Sequence, residues 1–289
     1  VREPNFSLVE GLAVWDFPGE PGAPTVLFCH ATSFHGRSWD GIVARLPGAW
    51  RAVALDLRGH GRSTASPKHP VLWKDFGRDV ALAAEKLDLR GAIGVGHSMG
   101  GHATAYAAIL RPVTFAGMLL LDPVIRPSAR YGKPWFEDHY ARRRRNAWSS
   151  WEKMFERFKS RPPFDAWDPR MLEDYCRHAL KGGELACSPE YEASIYEQSS
   201  QTDCDLGDEL SKIRCPVIVM RSHIDPGEGD VPDMNWSPCD PLLAQRLPNA
   251  VDRKIPIGHF IPMEAPDRVA EEIRNLAAAA IGSETRFPR

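Results

Sequence analysis

The stretch "GVGHSMGG" occupies residues 94–101, and at its centre Gly96-His97-Ser98-Met99-Gly100 has the form G-x-S-x-G. An apolar run, "AIGVGHS" (92–98), leads into it and reads as a buried strand. An alanine-rich run, "MGGHATAYAAIL" (99–110), leads away and reads as a helix that stops before Arg111-Pro112. A serine on so sharp a strand-to-helix turn projects its hydroxyl above the sheet. The flanking positions are glycine because the backbone there passes too close to its neighbours for a side chain. The helix N-terminus adds amide N–H groups and a positive dipole end, both of which favour developing negative charge. A dinucleotide fingerprint would need glycine where Met99 stands, and the chain has no G-x-x-x-x-G-K-[ST] run. The plainer reading is a serine that only caps a helix; the strand–turn–helix context favours a nucleophile.

Short apolar runs flank this turn on both sides. "PTVLFC" (24–29), "WRAVALDLRG" (50–59) and "FAGMLLLD" (115–122) read as strands of a parallel sheet buried on both faces. Between two of them, residues 73–87 place Phe76, Val80, Ala84 and Leu87 on one face of a helix. This alternation predicts a mostly parallel central sheet with helices on both sides. From Ile125 to Asp208 the pattern lapses. No convincing strand is legible there, and helical pieces are expected over 136–159, 168–181 and 189–199. The alternation resumes with "CPVIVMRS" (215–222), a helix over 240–247, "AVDRKIPI" (250–257) and a last helix over 266–280. The expected organisation is an α/β core from 1–124 and 209–289, interrupted by a helical cap at 125–208.

Composition narrows the function classes. The chain has 289 residues, 43% of them hydrophobic, and a net charge of −2, so nothing global favours nucleic acid or an anionic membrane. No run reaches the roughly 18 apolar residues of a membrane span. The first residues, "VREPNFSLVEGL", hold no apolar stretch of the secretory kind. Six cysteines without a CxxC pair point to reduced thiols in a cytoplasmic protein; a bridge among Cys176, Cys187 and Cys204 is the alternative. Neither His223 with Asp225 nor His30 with His35 belongs to a recognised metal pattern, so neither a metal nor another cofactor is expected. The run Arg142–Arg145 reads as a solvated helix face near Glu137, Asp138 and Glu152, with attraction of an anionic substrate as the second option.

Three motifs, in order, resemble the α/β-hydrolase fold superfamily, in particular its serine esterases with a helical cap. "DLRGHGRS" (56–63) resembles the signature loop after the fourth strand of that fold. "GHSMGG" (96–101) resembles its nucleophile elbow, and "GHFIPMEAPD" (258–267) its catalytic-histidine segment. The resemblance covers the chain outside the helical block, and the block resembles the cap that many members insert after the sixth strand. It implies Ser98 as nucleophile and His259 as the base that takes and returns its proton. It implies an oxyanion hole made by the backbone N–H of Met99 and one N–H from "HATSFHG" (30–36). Thr32 falls at the donor position, with Ser33 as the alternative. The family has glycine where this chain has Ala31, which leaves the donor open. Members resembling epoxide hydrolases and haloalkane dehalogenases carry Asp at the elbow, so the serine disfavours those activities.

The acid is expected next. "RSHIDPGEGDVPD" (221–233) follows the strand that delivers it in this fold, and Asp225 is the first candidate, with Asp122 at the end of the sixth strand second. Asp230, Asp233 and Glu228 read as solvated. The expected reaction is hydrolysis of a small-molecule ester with an apolar acyl or aryl part, in a pocket lined by His30, Ala31, His97, Trp135, Trp148 and Trp151. The cap tryptophans serve equally well as the cap's own core. Carbon–carbon cleavage of diketones or lactone hydrolysis would use the same residues, and a non-catalytic binding protein of this fold is the rival from another class.

Overall fold

The computed structural model describes residues 2–67, 69–132, 138–223 and 236–284. The chain enters through a hairpin, β1 (Asn5–Val9) and β2 (Leu12–Phe17). It continues through β3 (Thr25–Cys29), the short α1 (Asp40–Val43), β4 (Arg51–Asp56), α2 (Trp73–Lys86), β5 (Ala92–His97), α3 (Met99–Leu110) and β6 (Phe115–Leu121). A mainly helical block follows, with α4 (Trp151–Phe158), α5 (Pro169–His178), a small hairpin of β7 (Leu180–Lys181) and β8 (Glu184–Leu185), and α6 (Pro189–Gln198). β9 (Val217–Ser222), α7 (Leu243–Arg246), β10 (Ala250–Ile255), α8 (Ile261–Glu264) and α9 (Pro266–Glu284) complete the core.

The eight-stranded sheet has the order β1-β2-β4-β3-β5-β6-β9-β10. Pairing is parallel from β4 to β10 and antiparallel in the entering hairpin, where β2 also pairs antiparallel with β4. The strands alternate between two apolar layers, as a period of two residues requires. Leu27, Cys29, Val53 and Leu55 face α2 and α3, while Val26, Phe28, Ala52 and Ala54 face α1 and α9. The predicted face of α2 behaves accordingly, since Phe76, Val80 and Ala84 are buried and Leu87 is half-buried.

The expected strands lie within two residues of their predicted places apart from the second, whose run ends at Asp56 rather than Gly59. The hairpin β1–β2 was not foreseen, because β1 is mostly exposed and polar residues interrupt its apolar run. The block differs more. Among the described residues the helix expected over 136–159 is confined to α4 and a 3-10 turn at Tyr140–Arg143, and β7 and β8 are too short to leave a periodic signal. The starts of α5 and α6 are well specified. Asp168 and Ser188 accept backbone N–H bonds as N-caps, and a proline follows each at the first helical position.

The strand order explains where a site can form. Chain order reverses between β3 and β5, so the loops leaving their carboxyl ends part to opposite sides and open a crevice. Cys29 and Gly96 are register partners at that end. The segment after β3 and the turn after β5 are therefore neighbours.

Candidate active site

Ser98 lies at the turn from β5 to α3 with φ 56° and ψ −118°, a conformation that costs energy in a residue with a Cβ. Surrounding bonds fix it. Its N–H donates to Leu121 O at 3.0 Å, and its own carbonyl accepts from Val124 N at 3.1 Å. The glycines at both ends of the motif are sterically required. A Cβ on Gly96 would lie 2.4 Å from Gly100 O, and one on Gly100 would lie 2.2 Å from Cys29 O.

His259 sits just after β10, with Nε2 3.1 Å from Ser98 Oγ. The segment is anchored twice. The neutral ring of His97 donates from Nε2 to His259 O at 2.9 Å, and Ser222 Oγ donates to Ile257 O at 2.7 Å. Burial, with a smaller Coulombic contribution from the neighbouring His259, holds the His97 pKa well below the usual imidazole range.

The carboxylate at His259 Nδ1 is that of Asp122, with Oδ2 at 2.6 Å. Asp122 is fully buried and caps β6 with φ 43°. Its Oδ1 accepts from Ser237 Oγ at 2.5 Å and from Ser222 N at 3.2 Å. Asp225, the first expectation for this acid, lies outside the described residues, as do Glu228, Asp230 and Asp233. The imidazole has one proton to give at Nδ1, and Asp122 occupies that position. The end of β9 and the segment before α7 nevertheless contribute, since Ser222 and Ser237 orient the Asp122 carboxylate.

On the other side of Ser98, the Met99 amide is the first of α3 and has no acceptor within the helix. Thr32 is buried beside it, with Oγ1 3.5 Å from Met99 Sδ. Among the described residues its backbone N–H has no hydrogen-bond partner. The alternative, Ser33, is occupied, because its N–H donates to His60 Nε2 at 3.0 Å. His60 can accept because burial lowers its pKa to about 4 and its Nδ1–H donates to Arg58 O at 2.9 Å. The left-handed residue of the loop is Ser33, with φ 65°, so Ala31 carries no such demand. Asp56, buried at the end of β4, accepts from Gly36 N at 2.6 Å and Arg62 N at 2.7 Å and ties the two loops together. Burial raises its pKa, and the backbone donors oppose that shift. The motif "DLRGHGRS" thus gives His60 and Asp56 a positioning task that its letters alone did not specify.

A cavity of about 370 Å³ opens over Ser98 and His259. Ala31, Thr32 and Phe34 line it from the core, and Trp148, Phe158, Phe164 and Trp167 from the helical block. Of the expected pocket residues, Ala31 and Trp148 are in the lining. His30, His97 and Trp151 are not, and Trp135 lies outside the described residues. His30 is turned into the loops, accepting from Leu57 N at 2.9 Å and bonding Ala31 O at 2.7 Å. Trp151 sits under the Arg177 guanidinium at 4.3 Å. The run Arg142–Arg145 is not a uniformly solvated helix face. Arg144 enters the cavity, pairs with buried Glu192 and donates to Ser33 Oγ at 3.2 Å. All six cysteines are free thiols. Among the described residues no three His, Cys, Asp or Glu side chains gather as metal ligands would, and no helix is long and apolar enough to cross a membrane.

Residues 26–272 match the model of the alpha/beta hydrolase family. The chain is 38% identical over 112 residues to a non-heme chloroperoxidase of Streptomyces lividans, an alignment covering 38% of this chain and 40% of that protein. The chain thus spans less than half the length of that relative. It is 29% identical over 225 residues to the bifunctional esterase/perhydrolase DCH of Acinetobacter calcoaceticus, covering 72% and 76% of the two chains. Among solved structures it resembles the peroxisomal alpha-beta-hydrolase Lpx1 of Saccharomyces cerevisiae, with a TM-score of 0.72 and 19% identity over 96% of this chain and 83% of that one. A likeness at that identity speaks for the fold.

Proposed function

The chain belongs to the alpha/beta hydrolase family, and on that footing we propose that it is a serine hydrolase cleaving small-molecule carboxylic esters through an acyl-enzyme on Ser98. The observation that carries the reading is the continuous hydrogen-bonded series Ser98–His259–Asp122, with distances of 3.1 and 2.6 Å, at the floor of an aromatic cavity. Ser98 Oγ attacks the ester carbonyl as His259 Nε2 takes its proton. Asp122 holds the other nitrogen as N–H and stabilises the imidazolium. The carbonyl oxygen, now an oxyanion, receives the amides of Met99 and Thr32. His259 then protonates the departing alcohol. Water, deprotonated by the same nitrogen, attacks the acyl-enzyme and releases the acid and Ser98.

The 125–208 block acts as a cap over this floor, and its aromatic side chains suit an apolar acyl or aryl group. The esterase activity named for the Acinetobacter relative supports ester over other acyl substrates. The test is direct. The protein should take a fluorophosphonate label at Ser98 and hydrolyse p-nitrophenyl acetate and butyrate, and Ser98→Ala should lose both properties while keeping its circular dichroism. A wild-type protein that neither labels nor turns over would leave a non-catalytic binding protein of the same fold.

A further inference from the structure

The aromatic cavity has a charged rim that ester hydrolysis alone does not require. Four arginines line it, namely Arg144, Arg145, Arg157 and Arg161, against one carboxylate, Glu192. The chain as a whole carries a net charge of −2, so this positive concentration is local. Glu192 is committed to Arg144, which it meets as a close ion pair within the block. Arg145 stacks on Trp148 at 4.3 Å and donates from Nε to Ala147 O at 2.7 Å, and among the described residues its charge has no carboxylate partner.

Arg157 and Arg161 differ from four other arginines of the block. Arg142, Arg143, Arg170 and Arg177 each have a carboxylate partner. Among the described residues neither Arg157 nor Arg161 has one, although both are exposed and line the cavity, which places them where it meets solvent. Asp165, one turn beyond Arg161, is exposed and does not line the cavity. Between the two arginines lies Phe158, stacked on Phe164 with ring centroids 4.3 Å apart. Guanidinium groups beside a low-dielectric aromatic wall focus positive potential into the cleft and present forks suited to carboxylate or phosphate oxygens.

We infer that the substrate cleaved at Ser98 carries an anionic group, carboxylate or phosphate, which Arg157 and Arg161 receive at the rim while its apolar part fills the aromatic cavity. This inference rests on the ester-hydrolase reading for the reaction, but not for the binding. The anion would select among esters and steer them in, so its effect should weaken as salt screens it.

Binding is measured first on Ser98→Ala protein, so that turnover is irrelevant, by quenching of indole fluorescence with 4-phenylbutyrate, phenyl phosphate and the neutral 4-phenylbutyramide. One or both anions should bind about tenfold tighter than the amide, the scale of one charge-assisted hydrogen bond. Whichever anion shows the larger gain identifies the group. Adding Arg157→Met and Arg161→Met together should abolish the difference, whereas Arg157→Lys with Arg161→Lys should keep part of it. On the Ser98 enzyme, 4-acetoxybenzoate should exceed its methyl ester in kcat/KM at low salt, with the advantage lost in the Met pair. Equal affinity for anions and amide, or a preference that survives the Met pair, overturns the inference. Anion binding that depends on the two arginines, in a wild-type protein that hydrolyses neither ester, upholds the site and instead sinks the hydrolase reading.

Discussion

Asp122 Oδ2 lies 2.6 Å from His259 Nδ1, across 137 residues of sequence. Asp122 is fully buried, and two further donors, Ser237 Oγ and Ser222 N, hold its other oxygen. In the proposed mechanism a carboxylate fixed this way sets the imidazole tautomer that leaves Nε2 free to accept the Ser98 proton. Asp122→Asn should therefore lower kcat for p-nitrophenyl acetate by about 10³- to 10⁴-fold with little change in KM. Asp225→Asn should stay within a few-fold of wild type. The reverse ranking in steady-state kinetics would move the acid to the loop after β9.

Thr32 and Ser33 are adjacent, but among the described residues only the Thr32 amide has no partner, because His60 accepts the Ser33 N–H. His60→Ala should release that amide and loosen the loop that aims Thr32. The expected result is a fall in kcat of about 10- to 100-fold, less than outright loss of an oxyanion donor. Thr32→Ala removes a hydroxyl, not the amide, and should keep near-normal rates. A normal kcat in His60→Ala would remove His60 from the positioning of the oxyanion site.

Gly100 has no room for a methyl group, since a Cβ would sit 2.2 Å from Cys29 O and 2.5 Å from His30 O, both rigid backbone atoms. Gly100→Ala should destabilise the fold by about 3 kcal/mol, at the upper end for overpacking. Gly48 has nothing within 4 Å of its virtual Cβ, and Gly48→Ala should change stability by no more than about 0.5 kcal/mol. Urea midpoints of the two variants check the contrast.

His102 is fully buried, donates from Nε2 to Cys204 O at 2.8 Å, and has no partner for Nδ1 among the described residues. A second ring proton would have no acceptor, and burial lowers the pKa to about 4. Between about pH 6.5 and 4 the unfolded chain protonates this imidazole while the folded protein does not. Its contribution to stability is thus complete above about pH 6.5 and is lost as pH falls towards 4. Other buried groups titrate in the same window, so the comparison is between variants. Relative to wild type, His102→Gln should flatten the fall in stability between pH 7 and 4 by about 3 kcal/mol in total. Parallel stability–pH curves for the two proteins would contradict this.

The sheet and the nucleophile turn were legible because their signals are local. Buried parallel strands must be short apolar runs, and a strand-to-helix elbow needs glycines at fixed offsets around Ser98. The segment bearing His259 was legible for the same reason, as a short motif beyond the last strand. The entering hairpin escaped notice because one of its strands is largely exposed, and the block at 125–208 resisted reading because its helices are short and broken by 3-10 turns. Arg144 looked like part of a charged face, yet pairing with Glu192, 48 residues away, draws it into the cavity.

The sequence alone determined the fold family, the turn that presents Ser98 and the place of His259, since each rests on residues a few positions apart. Only the tertiary structure decided which carboxylate meets that histidine, which of the Thr32 and Ser33 amides has no partner among the described residues, and which arginines line the cavity. Several acids follow strands that end on the same side of the sheet, and their spacing along the chain does not tell them apart. The lateral order β5-β6-β9-β10 and the burial of Asp122 among donors from three segments bring one carboxylate to Nδ1.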